Sequence, residues 1–122
     1  MMAILLEEDY EYPLPNLIAV KQIFDDLEIK DVENSTKAEL RKEEIVQKIH
    51  PGDTVAIAVG SRGIQNLKEI VGILIQMVKS RGASPYIVSA MGSHGGGKED
   101  GQRAVLAGYG ITQESMGVPV IT

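Results

Sequence analysis

A six-residue frame occurs twice in this chain, and it restricts the fold more than any other feature. Ala58-Val59-Gly60-Ser61-Arg62-Gly63 and Ala90-Met91-Gly92-Ser93-His94-Gly95 agree at four of six positions, with one hydrophobic swap and one exchange of Arg for His. The second copy lies 32 residues after the first (90 − 58), about the length of one strand-plus-helix unit. Each frame closes a short apolar run without polar alternation: Thr54–Val59 leads into the first, and Pro85–Met91 into the second. Runs of this kind, bounded by turn residues, are expected of strands buried on both faces, as in parallel sheets.

After each frame the hydrophobic period changes. Ile64, Leu67, Ile70, Val71, Leu74 and Val78 recur at intervals of three and four, which predicts one core-facing helical stripe with Lys68, Glu69 and Lys79 toward water. Arg81-Gly82 supplies the stop. A second helix is expected after Gly97, running to Ala107 and ended by Gly108. Strand, turn, helix, twice over, predicts an α/β fold: a parallel, doubly wound (Rossmann-like) sheet with its two strands as neighbours. Thr112 can cap one more short turn. Val118–Thr122 reads as the start of a further strand, so the sheet is expected to be incomplete at its C-terminal end and the chain reads as cut there.

Upstream the signals are sparser. Pro13 and Pro15 interrupt the opening stretch, and Leu17–Phe24 reads as an extended strand. Thr36 followed by Glu39 has capping-box spacing and predicts a helix over 37–49, ended by His50-Pro51-Gly52-Asp53. A chain of 122 residues is the size of a single domain. Its net charge of −5, with no basic cluster, argues against nucleic acid as a partner. The absence of cysteine excludes disulfides and thiolate metal ligands. No apolar run approaches the roughly 20 residues of a membrane span, and the start lacks the basic segment of a signal peptide. A soluble, cytoplasmic protein with no membrane partner is expected.

Strand-to-helix turns leave a parallel sheet at its carboxyl edge, where open α/β sheets bind ligands. Neighbouring strands of equal length would bring Arg62 and His94 to one crevice there. Arg62 offers a fork of donors for a carboxylate or phosphate, and His94 can move a proton near neutral pH. Gly60, Gly63, Gly92 and Gly95 let backbone amides approach a ligand closely. Ser61 and Ser93 complete the candidate binding residues. Glycine and serine at strand ends are also ordinary turn chemistry, and a loop histidine is commonly just solvated. The repeated frame with two functional side chains outweighs that reading. It does not do so for His50, lodged beside Pro51, nor for Met77 and Met91, which read as packing residues. His94-Gly95-Gly96-Gly97 matches the oxyanion loop of some esterases, but no G-x-S-x-G elbow accompanies it. Gly97-Lys98-Glu99 fails the phosphate-loop pattern, leaving an amide nest over 92–97 as the weaker option.

The segments Val55–Ile64, Ala90–Gly96 and Gly108-Tyr109-Gly110-Ile111-Thr112 resemble the N-terminal domain of the lactate racemase family. They are closest to its branch of nickel-pincer-cofactor-dependent isomerases. The resemblance extends from about Leu14 onward and is most specific at the two turns. It implies a pyridinium-based mononucleotide, the nickel-pincer nucleotide, which holds nickel through sulfur and carbon and takes a hydride from the substrate's α-carbon. His94 matches one of the family's two acid–base histidines. Arg62 matches an arginine that contacts a substrate or cofactor anion, with Ser61 sharing that role. The first turn is shorter than the aspartate–threonine type of lactate racemase itself, which counts against lactate as substrate. The tethering lysine, the nickel-binding histidine and the second acid–base histidine would lie beyond Thr122. The chain alone is therefore expected to hold no metal or cofactor and to be inactive.

Two functional readings follow. One is a catalytic half-site of a racemase or epimerase, with a small anionic substrate and with the missing C-terminal portion or another copy of the chain as partner. The other is a stand-alone anion- or nucleotide-binding module with an anion at residues 92–97. A self-associating scaffold is the plainest alternative.

Overall fold

The computed structural model describes residues 13, 16–25, 28–61 and 63–122. Its elements are α1 (Val32–Leu40), α2 (Glu43–Val46), β1 (Thr54–Val59), α3 (Leu67–Ser80), β2 (Ser84–Ser89), α4 (Glu99–Gly108), α5 (Gln113–Met116) and β3 (Val120–Ile121), with a 3-10 turn over His94–Gly97 between β2 and α4. The three strands form one open, all-parallel sheet in the order β1-β2-β3. This is the mixed α/β architecture that the alternation of periods predicts.

Burial within the sheet differs from the expectation. Ile57 and Val59 of β1 are buried, but Ala56 and Ala58 are exposed. Ile87 and Val120 lie on the same side as Ile57 and Val59 and join Leu67, Val71 and Ile75 of α3 and Leu106 of α4 in a single core. The strand order explains this. Right-handed crossovers that advance steadily from β1 to β3 put both connecting helices on one face. Strands expected to be buried on both faces are thus buried on one among the described residues. Alanine at 56 and 58 hid the alternation, because it is apolar enough to extend the run yet small enough to stay exposed.

The register holds a second difference. Val59 pairs with Ser89, an offset of 30 (89 − 59), whereas the repeated frame has an offset of 32. The second turn therefore reaches two residues further past the sheet than the first. An even stagger preserves the side of the sheet that each side chain faces.

α3 follows its stripe, burying Leu67, Val71, Ile75 and Val78. It begins later than expected, however, because Asn66 is left-handed (φ 61°), and Ile64 lies outside the helix, 53% exposed. The predicted helix over 37–49 is two helices. Asp31, not Thr36, caps the first by accepting from the Asn34 N–H at 2.9 Å. An extended Lys42 (ψ 135°) separates it from the second. Asn16–Asp25 form no strand, and Leu17, Ile18, Val20 and Phe24 are exposed. A strand needs a hydrogen-bonded neighbour, and this segment has none among the described residues. None of the described helices is long and apolar enough to cross a membrane.

Candidate active site

Both turns lie at the carboxyl edge of the sheet. The Ala90 N–H donates to the Val59 carbonyl at 2.8 Å, carrying the β1–β2 pairing up to that edge. Gly60 then stands against Ala90, and a Cβ there would sit 3.7 Å from the Ala90 carbonyl, an ordinary contact. From this point the chains diverge into their turns. Gly63 (φ 49°) and Gly92 (φ 58°) adopt left-handed backbone that L side chains avoid. Ser93 precedes the 3-10 turn, and His94 opens it, donating its N–H to the Met91 carbonyl at 3.2 Å.

The decisive contact joins the two turns. Ser61 Oγ is hydrogen-bonded to His94 Nδ1, and both side chains are half-buried. Continued past the strands, the register would set Met91 across from Ser61, so the course of the two turns brings His94 there. Arg62, expected at the same crevice as His94, lies outside the described residues. Gly60, Ser61 and Ile64 from the first turn, with Gly92, Ser93 and His94 from the second, line a crevice of about 430 Å³ together with Ala90 and Met91. A larger crevice of about 690 Å³ separates α1 from α3 and includes Leu40, Ile73, Met77, Arg41 and Arg81. It contains no histidine and shares no lining residue with the crevice at the sheet edge.

The chain matches no family model, no curated protein and no solved structure. Its function has to be argued from the chemistry of the site.

A serine hydroxyl can donate or accept, so it accommodates either neutral imidazole tautomer. When Nδ1–H donates to Ser61, Nε2 carries the lone pair and can act as a base. When Ser61 donates to Nδ1, Nε2 carries the proton and can act as an acid. Nε2 has no hydrogen-bond partner among the described residues. The pair can therefore run proton transfer in both directions through one atom, as a reversible reaction requires.

Three supporting residues escaped the sequence reading. Gln102 donates from Nε2 to the Gly92 carbonyl at 2.9 Å and accepts from the Ser89 hydroxyl at 2.6 Å. The Tyr109 hydroxyl donates to the Ser61 carbonyl at 2.7 Å. Gly101 lets α4 press directly against Gly95 of the second turn, and a Cβ on either glycine would collide with the backbone of the other. Gly101 did leave a signal, since glycine inside a helix is disfavoured and often marks close packing. Gln102 left none, because a surface polar residue on an amphipathic helix is unexceptional, and Tyr109 entered only as part of the Gly108–Thr112 segment, with no role attached. His50 fits its plainer reading: its side chain is exposed, 3.5 Å from Asp53, and its N–H donates to the Asp53 carboxylate at 2.8 Å. Met91 is buried in the core, as expected.

Proposed function

We propose that this chain is the N-terminal, catalytic-domain portion of a nickel-pincer-nucleotide-dependent racemase or epimerase acting on a 2-hydroxy acid or a related hydroxy compound. The observation that carries this reading is the Ser61–His94 hydrogen bond at the carboxyl edge of the parallel sheet. It supplies a proton-transfer group of adjustable tautomer in an open crevice. The residues at that edge fit one side of the cofactor's site. At Gly63, Gly92 and Gly96 nothing stands within 4 Å of where a Cβ would be, so a ligand can reach the backbone.

When bound, the nickel-pincer nucleotide supplies the acceptance and return of a hydride at the substrate's α-carbon. His94 Nε2 takes the hydroxyl proton as that carbon is oxidised and gives it back as the carbon is reduced. His94 Nδ1–H donates to the Ser61 hydroxyl throughout, so Nε2 takes up the proton to give the imidazolium and releases it again. Arg62, next to Ser61 in sequence, takes the substrate carboxylate, a role for which a planar fork suits better than an ammonium. The doubly wound, Rossmann-like arrangement and a cytoplasmic location belong to the same reading. The second sheet face, with Ala56 and Ala58 exposed, would be covered by the C-terminal portion or by another copy of the chain.

The test is turnover of the cofactor-loaded enzyme on single enantiomers of 2-hydroxy acids, followed by chiral chromatography. His94→Asn should lower kcat by about 10²–10⁴-fold with a much smaller change in KM. Unchanged kcat would refute the assignment.

An anion-binding module is the competing reading, and the left-handed run Gly95-Gly96-Gly97 before α4 is the observation in its favour. The first turn of α4 opposes it. Glu99 and Asp100 already complement the helix dipole there and repel an incoming anion. Saturable binding of orthophosphate to the chain alone, seen as shifts of the amides of residues 94–97, would reverse the preference.

A further inference from the structure

Both turns of the site make polar contacts with one helix. Tyr109 caps the C-terminal end of α4 seven residues after Gln102, close to two helical turns, so the two stand on one side of it about 10 Å apart. At one end, the Gln102 amide bridges the Ser89 hydroxyl and the Gly92 carbonyl, joining the last residue of β2 to the start of the second turn. A carbonyl oxygen can only accept, so Gly92 must face the amide's NH₂ group, and Ser89 must donate to its oxygen. Neither a carboxylate nor an aliphatic side chain can make both bonds. At the other end, the Tyr109 hydroxyl holds the Ser61 carbonyl. Gly95 resting on Gly101 removes the remaining freedom of the second turn relative to the helix.

We propose that α4 is the strut that sets the geometry of the Ser61–His94 pair, with Gln102 and Tyr109 as its positioning residues. The inference rests on the reading of His94 as the proton-transfer group. Neither residue hydrogen-bonds to the imidazole. Each holds the backbone that carries one partner of the hydrogen bond, so loss of either lets that bond lengthen and the imidazole exchange tautomers freely.

The test follows the two ring nitrogens of His94 by NMR in the full chain, in Gln102→Leu and in Tyr109→Phe. The sequence contains only two histidines, so loss of signals in His94→Asn assigns the resonances. His50, on the amino side of β1, is the internal reference. In both variants the His94 nitrogen shifts should move toward those of a solvent-exposed imidazole while those of His50 stay in place. Unmoved His94 shifts in either folded variant overturn the proposal, whatever happens to Tm, because a purely structural role would lower stability without altering the imidazole. Should Gln102→Leu fail to fold, Tyr109→Phe, which removes only a hydroxyl, decides alone. The readout needs no substrate or cofactor. A chain with the expected shifts that never racemises a hydroxy acid would sink the proposed function and leave the strut standing.

Discussion

Gly95 and Gly96 are adjacent, share a left-handed backbone with φ of 65° and 72°, and differ in what surrounds them. A Cβ at Gly95 would run into the backbone of Gly101 and Gln102, whereas one at Gly96 would meet nothing within 4 Å. Alanine at either site bears the left-handed penalty of about 1–2 kcal/mol. Only Gly95→Ala adds overpacking, worth about 1–3 kcal/mol more. Urea denaturation should therefore rank Gly95→Ala as clearly less stable than Gly96→Ala, and equal midpoints would show that the turn does not rest on α4. The sequence singled out Gly95 as a candidate for backbone approach to a ligand, and its tight partner is instead the chain's own helix. His94 was legible as a site candidate because the repeated frame sets a titratable side chain in a turn at the sheet edge. Its hydrogen bond to Ser61 was not, because periodicity does not state which side chains of two diverging turns meet.

Among the elements, α1 shows how a local signal can be displaced. Thr36 and Glu39 have the spacing of a capping box, yet Asp31 starts the helix five residues earlier because its carboxylate accepts from both the backbone and the side chain of Asn34. Those bonds, the backbone one foremost, hold the Asp31 carboxyl below the ordinary carboxylate range. A lowered folded value means that the charged form stabilises the fold. That stabilisation is complete above the unfolded carboxylate range and is lost as pH falls through the lowered value. The difference in Tm between the parent and Asp31→Ala should accordingly be largest near neutral pH and shrink on acidification. A difference that grows in acid would contradict the cap. Glu114 is lowered in the same direction by its own backbone N–H and by the Thr112 hydroxyl at the start of α5. Its contribution is common to parent and variant, so the comparison isolates Asp31.

For the molecule as a whole, the consequence of a sheet that advances in one direction is a core on one side. Ile87, in the central strand, is fully buried within that core, while Ala58 on the neighbouring strand faces away from it. Ile87→Ala should destabilise the chain by about 2–5 kcal/mol, a large share of the stability of a small domain. Ala58→Ser should stay within about 0.5 kcal/mol of the parent. Chemical denaturation of the pair measures the asymmetry directly, and a costly Ala58→Ser would mean that the second face is covered after all.

The strand, turn and helix grammar, the parallel sheet and the stripe of α3 follow from the sequence because each depends on periodicity within one element and on the handedness of short connections. Nothing in that local information states how far one strand slides past its neighbour or which polar residue of a helix docks against which turn. Those are decided by packing between segments far apart in the chain. The two-residue stagger, the Ser61–His94 bond across 33 positions and the hold of Tyr109 on Ser61 across 48 all come into being only when β1, β2 and α4 close on a common core.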